Sequence, residues 1–118
     1  MSHRLPNYLR THRKRAGLSQ DEVAFLMGCE SGAKVSRYEM NRRQLPVETV
    51  FAYEAVFGVP AKELLAGVYE EAEQTTRRRA GLLAKIIAGN TEDPDSRRKV
   101  ELLNKIAAGT YREAPDVV

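Results

Sequence analysis

The side chains with chemistry to offer are concentrated between Arg13 and Arg43. Lys34 and Arg37 stand three residues apart, which is one helical step, and Arg42 and Arg43 follow shortly after. A guanidinium presents a fork of donors that fits a guanine edge or a phosphate, and a lysine offers a point charge to either. Gln20 falls in the first turn of a helix, where unpaired backbone N–H groups and the helix dipole favour an anion. The raw material for catalysis is thin. The chain has two histidines, His3 and His12, and one cysteine, Cys29, which excludes an internal disulfide. It contains no nucleophile–base pair, metal-ligand spacing or phosphate-cradling glycine loop, so no enzyme, metal or cofactor is expected. The chemistry on offer is recognition of a polyanion.

Charge distribution points the same way. The 118 residues carry a net charge of +3. Residues 1–43 hold nine Lys/Arg against four Asp/Glu, whereas residues 69–118 hold nine against nine. The basic excess therefore sits on one part of the chain, as a surface facing nucleic acid requires. Hydrophobic residues make up 42%, enough for a core. No apolar run approaches the ~18–20 residues of a membrane span, and the first ten residues lack the apolar segment of a secretory signal. A soluble cytoplasmic protein is expected, with no membrane partner.

Elements must position these groups, and the spacing predicts five helices in the first two thirds. A loose arm over residues 1–6 leads to Asn7, a good N-cap, and a helix to about Ala16 that ends at Gly17. Ser19 with Glu22 forms a capping box for a second helix. Its apolar face is Val23, Ala24, Leu26 and Met27, and Gly28 ends it. The turn Cys29-Glu30-Ser31-Gly32 leads to a third helix over about residues 32–41, with Ser31 placed to cap it. Val35, Tyr38 and Glu39 share one face of that helix; Ala33, Ser36 and Arg37 share the opposite one, with Lys34 on the flank. Small residues let a helix backbone approach base edges. Base contact is preferred for Arg37, and base and phosphate stand even for Lys34. Asn41-Arg42-Arg43 leaves the helix in a basic loop suited to backbone phosphates. Pro46 opens a fourth helix carrying Val50, Phe51, Tyr53, Glu54 and Phe57 to Gly58, its aromatics expected in the core. Pro60 starts a short fifth with Leu64 and Leu65. Two short helices joined by a tight turn, the second presenting Lys34 and Arg37, make a helix-turn-helix, which lays one helix in the DNA major groove.

The run Leu9, Arg13, Gly17-Leu18-Ser19-Gln20, Val23-Ala24, Gly28, Val35-Ser36-Arg37-Tyr38-Glu39, Arg42-Arg43, Pro46, Glu48-Thr49, Phe57-Gly58-Val59, Glu63-Leu64-Leu65 resembles the Cro/C1-type (XRE) helix-turn-helix family of phage and bacterial regulators. The resemblance covers about residues 7–67. It implies an all-α fold with a five-helix repressor-like domain over residues 1–68 and a bacterial or phage origin. It also implies that Gln20 meets a phosphate; Ser31 and the basic loop of Asn41, Arg42 and Arg43 are expected as further phosphate contacts from the residues themselves. The exposed positions around Gly32, Ala33, Lys34, Ser36 and Arg37 would read the groove. Arg13 and Glu39 match a pair that forms a buried salt bridge between the first and third helices. The chain departs from the family pattern in a longer interval from Gly28 to Val35 and in Asn41, which stands where a glycine is usual. Gly32 and Ala33 are apolar where many relatives carry Gln or Ser.

Residues 69–118 form the remaining part. A helix is expected from about Glu70 to Ala88, a turn over 90–95, a second helix from Ser96 to Ala108 and a frayed tail from Thr110. RRRAGLLAKIIAG (77–89) and RRKVELLNKIAAG (97–109) match at eight of thirteen positions, an internal repeat. Each copy carries an apolar stripe, Leu82, Leu83 and Ile86 in one and Leu102, Leu103 and Ile106 in the other. Helices this short need a partner surface. Dimerisation is the preferred role, with an intramolecular brace and docking of a second protein as the alternatives. The expected function is sequence-specific binding of double-stranded DNA as a homodimer on an inverted-repeat operator, regulating (most simply repressing) transcription. The alternative is an antitoxin or adaptor whose C-terminal helices sequester a partner protein, with DNA binding kept for autoregulation.

Overall fold

Caps and glycines set the helix boundaries. A computed structural model describes residues 7–41, 43–89 and 93–109; the expected arm (1–6), Arg42, the start of the 90–95 turn and the tail from Thr110 lie outside the described residues. Among the described residues the fold is all-α, with seven helices. α1 (Leu9–Arg15) follows Asn7, whose Oδ1 accepts from the Leu9 amide at 3.3 Å. It ends as Gly17 turns to φ +73° and the Leu18 amide closes onto the Arg13 carbonyl at 3.2 Å. α2 (Gln20–Leu26) opens on the expected box: Ser19 Oγ accepts from the Glu22 amide at 3.0 Å, and the Glu22 carboxylate accepts from the Ser19 amide at 2.8 Å. α3 (Gly32–Glu39) stops two residues earlier than expected, because Asn41 already adopts φ +58°. α4 (Val47–Phe57) and α5 (Ala61–Leu64) follow Pro46 and Pro60, and the Glu54 carboxylate accepts from the Ala61 amide at 2.6 Å.

These five helices enclose one core of Leu9, Val23, Ala24, Val35, Tyr38, Tyr53 and Leu64. Tyr53 meets Tyr38 edge-on, ring centroids 6.4 Å apart, and stacks on Phe57 at 5.9 Å. The Tyr8 amide donates to the Leu64 carbonyl at 2.8 Å, which ties the entry of α1 to α5. Two expected core residues are not there. Leu26 is 57% exposed and Phe51 62% exposed, because each points off the arc that its helix buries. Helical periodicity fixes which residues share a face, not how wide the covered arc is.

α6 (Ala66–Ala88) starts four residues before the expected Glu70 and runs unbroken through the expected junction at 68/69. The chain divides into two compact units, residues 1–70 and 71–118. In the second unit, α6 folds back into α7 (Pro94–Ala108), which Asp93 caps by accepting from the Asp95 amide at 3.1 Å. Their interface uses small residues: Ala80, Ala84 and Ser96 are buried. A Cβ at Gly81 would lie 3.7 Å from that of Ala107. Arg77 Nε donates to the Ala107 carbonyl at 3.3 Å, and its guanidinium lies over Gly109, whose φ is +73°.

Candidate nucleic-acid interface

α3 is amphipathic, and its inner face fixes which residues face out. Val35 and Tyr38 are fully buried, so Ala33 and Arg37 on the far side are exposed, with Lys34 and Ser36 half-buried between them. Ala33 and Arg37 are one turn apart and share a stripe; Lys34 lies three residues before Arg37 beside it. Of the residues expected to read bases, the helix therefore turns Ala33, Lys34, Ser36 and Arg37 toward one side.

Gly32 is a correction. It is buried, its amide donates to Asp21 Oδ1 at 2.9 Å, and its Cα is pressed against the start of α2. A Cβ there would come 2.5 Å from Asp21 Oδ1, 2.9 Å from the Asp21 nitrogen and 3.0 Å from the Gln20 carbonyl carbon. Gly32 has the wrong surroundings for a base reader because it fills the contact between two helices.

The third helix is anchored by a shared carboxylate. Arg13 Nε donates to Glu39 Oε2 at 2.6 Å and Arg13 Nη2 to Glu39 Oε1 at 3.2 Å. The side chains are 10% and 2% exposed, so this is the buried pair that the residue pattern implied. Arg13 Nη1 also donates to the Leu18 carbonyl at 3.0 Å. The Glu39 hydrogen bond raises the Arg13 pKa above its ordinary value, against the opposing effect of burial. Gln20 joins the group, its Nε2 donating to Glu39 Oε1 at 3.1 Å. One N–H of the Gln20 side-chain carboxamide is thus committed within the fold, a bond that its place in the first turn of α2 gave no reason to expect.

Of the remaining expected phosphate residues, Ser31, Asn41 and Arg43 are described and all three are exposed. Ser31 occupies the N-cap position of α3 and is exposed, but its side chain makes no cap bond; Asp21 supplies the cap instead. Asn41 is exposed, and its Oδ1 accepts from Asn7 Nδ2 at 2.6 Å, while the same Nδ2 lies 3.1 Å from the Tyr38 carbonyl. Arg43 is exposed. Asn7 and Asp21 are the residues that sequence reasoning missed here. Both carry an ordinary helix-start signal, and nothing local reveals that their side chains reach to α3.

In the second unit the two repeat copies leave a groove rather than a closed core. Leu82, Leu83 and Ile86 of α6 face Leu103 and Ile106 of α7 across it, with Thr76 and Arg79 at its edge. Leu82 is 54% exposed, Ile86 72% and Leu102 43%. The helices do brace each other, but through alanine and glycine, so the large side chains stay open. No helix among the described residues is long and apolar enough to cross a membrane.

The helix-turn-helix family matches residues 9–64, from the first residue of α1 to the last of α5. No curated protein and no solved structure matches the chain.

Proposed function

We propose that the chain, whose residues 9–64 match the helix-turn-helix family, is a DNA-binding regulator that reads a specific duplex sequence as a homodimer and represses transcription. The observation that carries this reading is the outward side of α3, with Arg37 exposed and Lys34 half-exposed beside the small residues Ala33 and Ser36. A helix of that kind lets the backbone come close to the groove floor while the guanidinium reaches a guanine edge. Arg42 and Arg43, with the first turn of α2, would hold phosphates, which gives affinity and register without sequence information. Repression is the simplest use of such binding, since an occupied operator excludes other proteins.

The groove of the α6–α7 hairpin supports the dimeric part of the reading. Exposed Leu82 and Ile86 are an apolar surface that a second copy would cover. Two copies of α3 one DNA turn apart, ~34 Å, call for an inverted-repeat operator. The same groove favours the second reading, in which a different protein occupies it and DNA binding serves autoregulation.

Selection of sites from a randomised duplex library with full-length protein, at about physiological salt, tests both. A palindrome with half-sites about ten base pairs apart is the expected product. Leu82→Glu with Ile86→Glu, both at exposed positions, should then abolish the palindrome and leave a half-site motif. An unchanged palindrome in that variant assigns the groove to another protein, and the absence of any enriched sequence refutes specific DNA reading.

A further inference from the structure

We propose that Asp21 is a positioning residue for base recognition: with Gly32 it sets how deeply the first turn of α3 sits against α2. The inference rests on the DNA reading above and adds to it the side chain on which its specificity depends.

Three observations carry it. α3 does not cap itself, since Ser31 makes no side-chain bond to the helix it precedes, and the Gly32 amide goes to Asp21 Oδ1 at 2.9 Å. Gly32 is buried at the closest approach of the two helices, where a Cβ would meet Asp21 Oδ1 at 2.5 Å and two backbone atoms of residues 20 and 21 within 3.0 Å. Backbone atoms cannot step aside as a side-chain tip can, so any residue larger than glycine pushes α3 outward. Finally, Ala33 and Lys34 are the next two residues, and Ser36 and Arg37 follow one turn on. Whatever moves Gly32 moves the reading face.

Eight residues of helix cannot hold their own orientation, so outside contacts must fix it at both ends. The C-terminal end has Glu39 on Arg13 and the Tyr38 carbonyl on Asn7. The N-terminal end has Asp21. A recognition site tolerates a displacement of only about 0.5 Å before its contacts fail, which is comparable to the shift that losing this bond, or adding a Cβ, would impose.

The test compares full-length wild type, Asp21→Asn, Asp21→Ala and Gly32→Ala on the duplex that the wild type selects and on a random duplex. Both Asp21 variants remove the same negative charge, so their general attraction to DNA rises equally; only Asp21→Asn keeps an acceptor for the Gly32 amide. The expected result is a selected-to-random affinity ratio about tenfold lower in Asp21→Ala, with Asp21→Asn near wild type; tenfold is about the worth of one misplaced base contact. Gly32→Ala should lose selectivity with Asp21 intact. Amide exchange at Gly32, measured without DNA, should be slow in wild type and Asp21→Asn and fast in Asp21→Ala. Equal ratios in Asp21→Asn and Asp21→Ala overturn the proposal even if both variants melt early. Should the wild type itself prefer no sequence, the DNA reading fails on its own account, and equal Gly32 exchange in the three proteins separately refutes the clasp.

Discussion

Arg13 and Glu39, twenty-six residues apart, meet at two points, Nε to Oε2 at 2.6 Å and Nη2 to Oε1 at 3.2 Å, with Gln20 sharing Oε1. Two charges with so little access to water are costly to separate, because the survivor is left buried without a counter-charge. Glu39→Ala should therefore destabilise the protein by about 3–5 kcal/mol, measured by urea unfolding. Arg13→Met with Glu39→Leu should recover most of that loss. A double variant no more stable than Glu39→Ala would mean that the pair contributes more than a hydrophobic replacement can.

Tyr53 gives a prediction with the opposite sign. Among the described residues its hydroxyl is buried with no hydrogen-bond partner, although the ring is central to the core. Burial, helped by the nearby Glu39 charge, pushes its pKa well above the ordinary value. An unfolded tyrosine ionises near pH 10 and the folded one only above it, so the folded state holds its proton longer and stability falls as the pH rises past about 10. Tyr53→Phe should be as stable as wild type at neutral pH, or more stable by about 1 kcal/mol, and should lose less stability between pH 9 and 11. Thermal melts across that range decide it; a destabilised phenylalanine variant would mean that the hydroxyl has a partner after all.

At the acid end the relevant group is Glu22. The Ser19 amide, and then the Ser19 hydroxyl, hold its carboxyl below the usual 4.5. Its folded pKa is depressed, so its contribution is present above the unfolded value and is lost as pH falls through the folded one. Glu22→Gln should flatten the acid limb of the stability profile below about pH 4.5 and leave the alkaline limb alone. An unchanged acid limb would show that the box contributes through geometry rather than charge.

Arg37 and Arg43 should separate base reading from phosphate binding. Arg37→Ala is expected to relax preference at one base position in each half-site, at about 1–3 kcal/mol. Arg43→Ala should weaken all duplexes alike and lower the salt slope by about 0.9. Binding-site selection and salt titration on both variants make the check, and a uniform loss in both would remove Arg37 from the base-reading set.

The hairpin interface can be probed at Gly81. The 3.7 Å from a Cβ there to Ala107 is ordinary contact, so Gly81→Ala should fit and raise stability by up to about 1 kcal/mol through helix propensity. Gly81→Leu has no such room and should lower it. Melting temperatures of the two variants should fall on either side of wild type; a tolerated leucine would show that the two helices can part without cost.

Much of the fold was legible because its signals are local. Ser19 with Glu22, Gly17, Gly28 and Gly58 at helix ends, and prolines 46 and 60 at helix starts each act within a few residues, and each stands where the spacing placed it. The buried Arg13–Glu39 pair was reached through family resemblance and not through spacing. What stayed hidden are bonds between helices made by residues with an ordinary local role. Asp21 reads as an acid in a first turn, and only the approach of α3 gives it the Gly32 amide. Phe25, 84% exposed, and Leu26 show the same limit, since periodicity cannot say where a covered arc ends. In the second unit the Leu and Ile stripes read as the natural interface, yet Ala80, Ala84 and Gly81 took that place because small residues let helices come closer.

The small-residue contact of the hairpin has a consequence for the repeat. Gly81 and Ala107, whose Cβ positions would lie 3.7 Å apart, correspond at an offset of twenty to Glu101, which is exposed, and Ile87. Ala80 and Ala84 correspond to Val100 and Asn104. A duplicated stretch of helix therefore meets its copy through positions that the two copies do not share, and Leu83, Ile86, Leu103 and Ile106, which they do share, are left to line the groove.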